Sequence, residues 1–553
     1  MNVNAEPPSL PESPAPANER RHDLDAMRAG AMLLGIALHA ALSFIPGMWP
    51  VRDRFENDAF AIFVSAVHGF RMPLFFLISG YFTAMLWRRR GLKALVVHRF
   101  KRIFLPLALG IVTIVPLTNM AFKRASSGNA PTEGRPSEKR IVDIWGAAAA
   151  GDSEAVSDYL ADGADIDAIQ TAVEIGSTPL ILATTYDHEE TVQLLLDSGA
   201  NVNARGRDGG TALHAAAFFG RAEIAERLLE NGADPEIRDH KGQRPPDLLA
   251  IDVGLTKFIA QMFQLKLDEA ELKAGREAIA RALNTSASPG NAGAWFIKLF
   301  FAPVFHHLWF LSMLCWLVAG FVVCAWIYEK LNITRPPAWL AISPWRILWL
   351  FPATFIPQLM MGWTIPTFGP DTSAGWLPWP PILLYYAVFF GYGAFYYDSD
   401  DAKGRVGRWW MVSLPLALLV LLPVGLDLTY GEVAADERPR RKLMADVLQV
   451  CYVWLMSFGC MGLFRRLLNR ESPRIRFVSD SSYWLYVAHL PLIVLAQGFV
   501  RDWDLPTALK FTLICLVVTA FLLLTYRYLV RYTWLGTLLN GPRKRTDPKQ
   551  IAA

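Results

Sequence analysis

Residues 307–328 read HLWFLSMLCWLVAGFVVCAWIY, an apolar run without an Asp, Glu, Lys or Arg. As a helix rising about 1.5 Å per residue it reaches about 33 Å, enough to cross a hydrocarbon core of ~30 Å. The same test selects residues 29–48, 59–87, 103–121, 346–362, 381–397, 409–428, 443–464, 483–500 and 508–529. The expected fold class is all-α: a polytopic membrane helix bundle of about ten spans. The segments at 346–362 and 381–397 are short and carry Pro352, Pro357, Pro380 and Pro381, so one of them is a candidate re-entrant segment.

The composition conceals two populations. An apolar content of 53% with 19 Trp is high for a soluble protein and low for a purely membrane one. Between Lys123 and Arg281 there are 17 Lys/Arg against 27 Asp/Glu, a local net charge of −10. The remainder holds 37 basic and 23 acidic residues, so the overall +4 is a sum of unlike parts and gives no argument for nucleic acid. Cys315, Cys324, Cys451, Cys460 and Cys515 all lie in apolar runs without a CxxC, which points to neither zinc nor a disulfide framework. The first 22 residues are Pro-rich and lack an apolar core; they are expected to be a disordered tail, with the first apolar segment as its own signal-anchor.

Orientation follows the basic loops. Arg88–Arg90, Lys93, Arg99, Lys101 and Arg102 lie between the second and third segments, and Arg465, Arg466, Arg470, Arg474 and Arg476 between the eighth and ninth. Arg531 and Arg543–Arg545 follow the last segment, and Arg20–Arg21 precede the first. With ten spans all fall on one side, expected to be cytoplasmic, with both termini there. Arg438, Arg440, Arg441 and Lys442 run against the rule, partly offset by Asp436 and Glu437.

The acidic segment repeats itself. Thr178-Pro-Leu-Ile-Leu-Ala183 recurs as Thr211-Ala-Leu-His-Ala-Ala216, and in degraded form around Arg244–Ala250. Gly163-Ala-Asp, Gly199-Ala-Asn and Gly232-Ala-Asp recur in step, with a three-residue insertion expected near Ala172–Glu174. These residues resemble ankyrin repeats, an α-solenoid that binds proteins. Ile141–Ala150 reads as a degenerate capping repeat. Residues 255–283 read as one amphipathic helix that either caps the stack or lies on the membrane. Counting spans, the insert falls outside the cytoplasm, and His214 belongs to the repeat's turn network.

Ionisable groups inside spans are costly and usually functional. Arg28 opens the first segment and His39 lies about 16 Å deeper. His68 and Arg71 share a face of the second segment, Arg99 and Arg102 share one at the start of the third, His306 and His307 open the fourth, and His489 sits in the ninth. Imidazole suits a base near neutral pH, and a basic pair at a membrane rim suits phosphates. Each has a structural alternative: a packed histidine, a positive-inside anchor, an interfacial aromatic. Ser79 beside Gly80 reads as a packing element.

Leu24-Asp-Ala-Met-Arg28 followed by His39, Phe75-Phe-Leu-Ile-Ser-Gly-Tyr-Phe82, Arg99-x-x-Arg102, His306-His-Leu-Trp-Phe-Leu311 and Ser482–His489 together resemble acyltransferase family 3 of integral-membrane enzymes, near its periplasmic-glucan succinyltransferase branch. The resemblance implies transfer of an acetyl or succinyl group from cytoplasmic acyl-CoA, as co-substrate and without a metal, to a hydroxyl of an extracytoplasmic glycan or similar acceptor. His39, Arg28 and His489 take the catalytic positions. Arg99, Arg102 and Lys101 take the CoA-binding positions, with His68, Arg71, His306 and His307 as further candidates. The expected partners are a glycan or other hydroxyl acceptor, membrane lipid, and a protein on the ankyrin repeats. The expected location is a bacterial inner membrane, with the insert periplasmic. A proton-coupled transporter or channel regulated by the ankyrin domain is the competing reading. The expected domains are a tail over 1–22, the membrane acyltransferase domain over 23–122 and 294–535, ankyrin repeats over 136–252, an amphipathic helix and linker over 253–293, and a basic tail over 536–553.

Overall fold

The computed structural model describes residues 21–45, 49–126, 143–170, 176–240, 242–262, 265, 267–284, 299–300, 304–362, 366–399, 401–431 and 437–541. Most of the expected N-terminal tail, the expected insertion near Ala172–Glu174 and nearly all of the expected linker from Asn284 lie outside these residues. Among them every regular element is helical.

Helices α1 (His22–Ala41), α2 (Ala59–Arg99) and α3 (Leu105–Ser126) precede the insert. Where a loop is expected between the second and third apolar segments, the chain stays helical. Gly91, at φ +77°, breaks α2, and a π-turn over Phe100–Phe104 leads into α3. Glycine takes this left-handed conformation without a Cβ penalty, so one residue does the work of a loop.

After the insert come α13 (Trp309–Lys330), α14 (Ile347–Leu359), α15 (Pro380–Asp398), α16 (Trp410–Leu416), α17 (Leu422–Tyr430), α18 (Arg438–Leu467), α19 (Pro473–Val500), α20 (Thr507–Thr525) and α21 (Trp534–Asn540). Among the described residues, seven helices are long and apolar enough to cross a membrane, one being the continuous run Ala59–Ala125. Ten separate spans are not distinguished by this measure. The second and third segments share one helical run, α14 has only 13 residues, and the tyrosines and prolines of α15 lower its hydropathy.

The helices run between two faces. Arg88 pairs with Asp398 at 2.6 Å and Arg465 donates to Asp401 O at 2.7 Å on the face where α1 begins. On the opposite face Lys510 pairs with Asp53 at 2.9 Å, both side chains almost fully buried, and Arg501 donates to Ala125 O. Helices α2 and α15 approach closely. A Cβ on Gly80 would stand 1.9 Å from Phe390 O, and one on Gly393 1.9 Å from Leu77 O, so only hydrogen at both positions permits the approach.

The insert stacks α4 (Ile144–Ala150) on α5 (Ser153–Ala161), α6 (Pro179–Thr185) on α7 (Glu189–Asp197), α8 (Ala212–Phe219) on α9 (Ala222–Glu230) and α10 (Pro245–Leu248) beside α11 (Val253–Met262), ending in α12 (Glu269–Ala282). The expected capping fragment is half of a complete helix pair, because Asp143 and Asp152 each cap a helix. The single amphipathic helix expected over 255–283 is two helices. Asp268 starts the second by accepting from the amides of Ala270 and Glu271. Ile279 and Ala280 then enter the repeat core, so α12 caps the stack. The Thr211 amide donates to His214 Nδ1, leaving His214 Nε2–H to donate to Gln243 O in the next repeat. The insert meets the membrane domain where the Arg52 guanidinium bonds the Tyr186 hydroxyl and Arg438 Nη1 donates to Arg207 O. Both contacts lie on the face opposite the start of α1.

Candidate active site

Helices α1 and α19 run parallel, with Arg28 beside Ser479 near one end and His39 beside His489 further along. This register brings together histidines 450 residues apart. His489 Nδ1 lies 2.7 Å from Tyr486 O and 3.1 Å from Leu485 O. Carbonyls only accept, so His489 carries its proton on Nδ1 and presents a lone pair at Nε2. That nitrogen is 3.2 Å from His39 Nδ1, which also lies 2.9 Å from Gly35 O. His39 is accordingly protonated at Nδ1, and its Nε2 has no partner among the described residues. Gln497 Nε2 donates to His39 O at 2.8 Å, and Trp49 Nε1 donates to Gln497 Oε1 at 2.9 Å, fixing the amide's orientation.

A cavity of about 300 Å³ opens beside the pair, lined among others by His39, His68, Arg71, His307, Tyr486 and His489. The His489 ring centroid is 5.0 Å from those of both His39 and His307. His307 Nε2–H donates to Val487 O at 3.1 Å, leaving Nδ1 buried without a partner among the described residues. His68 Nε2–H donates likewise to Pro370 O at 2.9 Å. Arg71 is 9% exposed. Its guanidinium fills the space of a missing side chain, since a Cβ on Gly35 would stand 2.1 Å from Nη1.

The other candidates lie elsewhere. Arg28 is apart from the cavity: its Nη2 donates to Ser479 O and Oγ at 3.0 and 2.7 Å, with Asp25 3.5 Å away. Arg99 ends α2 and Arg102 lies in the π-turn that leads into α3, on the face where α1 begins, and the two share Tyr483 as a neighbour. Among the described residues Arg99 Nε and the Tyr483 hydroxyl are buried there without partners, whereas Lys101 is exposed. His306 does not line the cavity. Its φ of +45° turns the backbone so that His307 enters instead.

Sequence reading passed over Tyr483, Tyr486, Gln497 and Trp49. Tyr483, Tyr486 and His489 follow each other at three-residue steps, so one face of α19 leads from the arginine pair to the histidines. That spacing was the available signal; Trp49 had none, since it joins the site only through the fold.

A comparison with known families places this geometry. The family model for an acyltransferase domain, that of acyltransferase family 3, matches residues 21–133 and 278–527. The chain belongs to this family. The family match holds the arginine pair and all the cavity residues named above. A second model, for ankyrin repeats in three copies, matches residues 144–239. Similar curated proteins are the glucans biosynthesis protein C of Escherichia coli, 38% identical over 108 residues, and that of Salmonella paratyphi B, 35% identical over 121 residues. These stretches cover 20% and 22% of this chain and 27% and 31% of the relatives, so the chain spans under a third of the proteins it resembles.

Proposed function

We propose that this acyltransferase moves an acyl group from acyl-CoA to a hydroxyl of a glycan, with His39 as general base. The observation that carries the reading is the hydrogen bond between His489 Nε2 and His39 Nδ1, which directs the His39 Nε2 lone pair to the cavity. His39 Nε2 takes the proton of the acceptor hydroxyl as its oxygen bonds the acyl carbonyl carbon. The carbon–sulfur bond then breaks, and His39 returns the proton to the departing thiolate, leaving an ester and free CoA thiol. His489 holds the tautomer throughout.

Arg99 and Arg102 would hold the CoA phosphates, a role supported by the unpartnered Arg99 Nε and Tyr483 hydroxyl at that rim. The acceptor would enter from the insert's side, where Thr367, Thr372 and Tyr430 line the cavity. The glycan is proposed from the name of the relatives. The basic loops on the opposite face support cytoplasmic termini in a bacterial inner membrane and a periplasmic insert, which would hold an acceptor or partner protein.

The test is acyl transfer by purified wild type and His39→Ala from labelled acyl-CoA to a glucan. The expected loss is about 10²- to 10⁴-fold in kcat. Equal rates would remove His39 from the chemistry.

A further inference from the structure

His39 sits in the last turn of α1, where helix carbonyls run out of intrahelical donors and the backbone frays unless something else holds it. Gln497 supplies a donor there: its Nε2 lies 2.8 Å from His39 O and 3.3 Å from Ala40 O. The amide is held in turn by Trp49, whose indole N–H only donates and lies 2.9 Å from Gln497 Oε1. The Trp49 ring also stands 6.5 Å from the His39 ring, centroid to centroid. Trp49 belongs to the connection between α1 and α2, and that connection is fixed from two sides. Within the membrane domain, the Asp53 amide donates to Ser43 O at 2.9 Å, and Lys510 bridges the Asp53 carboxylate to Arg501 O. Towards the insert, the Trp49 ring packs edge-on against Phe122 at 5.3 Å, near the end of α3, from which the chain leaves for the repeats. Three residues beyond Trp49, Arg52 bonds the Tyr186 hydroxyl of the insert.

We propose that residues 49–53 are the link through which the ankyrin insert positions the base. Tyr186 holds Arg52, Trp49 of the same short segment holds the Gln497 amide, and that amide holds the end of α1 at His39. Tyr186, Arg52, Trp49 and Gln497 are positioning residues, since each acts through the next and none touches a reacting atom. The bonds that form and break are those described above. The insert therefore bears on the rate of the chemistry as well as on what is brought to it. A base displaced by a fraction of an ångström loses much of its effect, so a hydroxyl on the insert is enough to register in kcat. The inference rests on the reading of His39 as base.

The experiment uses the full chain in lipid nanodiscs, with labelled acetyl-CoA and succinyl-CoA as donors and a glucan as acceptor. Tyr186→Phe removes one hydroxyl from the insert and should lower kcat about 3- to 10-fold, the worth of one hydrogen bond, with KM for acyl-CoA unchanged. Trp49→Phe should lower kcat about 10-fold. The double variant should be no slower than Trp49→Phe alone, because the insert has then lost its line to the base. Arg52→Lys, which can still donate to Tyr186, should keep much of the rate that Arg52→Met loses. A wild-type kcat for Tyr186→Phe, a change in KM alone, or losses that multiply in the double variant overturns the link. Carbethoxylation of His39 by diethyl pyrocarbonate, followed by mass spectrometry, reads the imidazole without substrate. Its rate should fall in step with kcat in both single variants, and an unchanged rate overturns the link even where wild type transfers neither acyl group. His39→Ala separates the two readings. If it abolishes transfer while Tyr186→Phe keeps the full rate, only the link is lost; if it keeps the full rate, the base reading falls and the link with it.

Discussion

A neutral imidazole acts as a directed base only when its other nitrogen is committed. Two backbone carbonyls of α19 commit His489, and His489 together with Gly35 O commits His39. Replacing His489 by Phe leaves Gly35 O as the remaining acceptor of His39 Nδ1–H among the described residues and removes the imidazole that steadies His39 when it is protonated, which should lower kcat by about 10²-fold with little change in KM. Gln at 489, whose amide oxygen can accept from His39 Nδ1–H, should restore part of the rate. A steady-state comparison of the three proteins checks this; a fall in KM-dependent binding alone would make His489 a packing residue. At this scale the sequence was only partly readable. His39 stood out as a buried titratable group and His489 did so in another span, but their contact depends on the parallel register of α1 and α19. Arg28, which shares a motif with His39, is kept apart from the cavity by the helix's own rise and is engaged by Ser479 and Asp25.

Among the elements, the α2–α15 pair depends most on what is missing from its surface. Two glycines let the backbones touch, and α2 carries His68 and Arg71 to the cavity from that contact. Gly393→Ala should force the helices apart and cost about 1–3 kcal/mol by overpacking. Gly391→Ala, two residues away and with open space around its Cβ, should be neutral or slightly stabilising. Thermal unfolding of the two variants in detergent gives the comparison, and equal melting temperatures would remove the packing role. Helix existence was legible from apolar length alone. The break at Gly91 was not, since a glycine in a basic stretch looks the same whether it lies in a loop or reverses a helix. The division of residues 255–283 was legible in part: Asp268 is a good N-cap, but an apolar periodicity continuing past it concealed the stop.

In the whole molecule, chemistry and insert occupy different chain segments, and every cavity-lining residue comes from outside the repeats. Deleting residues 135–285 should leave acyl-CoA binding intact and affect acceptor use, measured by titration and transfer on the truncated protein. Loss of acyl-CoA binding would show that the insert supports the bundle. A reporter fused after Ala130 and active only in the cytoplasm would reverse the proposed orientation. Apolar runs and a repeating Thr-x-Leu pattern were enough by themselves to determine a membrane helix bundle carrying an ankyrin insert, because helix length and repeat period are local properties of the chain. Only the tertiary structure decided that four histidines and Arg71 share one cavity, and that the insert sits over the face opposite the arginine pair. Those relations depend on which helices run parallel and where glycines let them meet, and no local stretch of sequence specifies either.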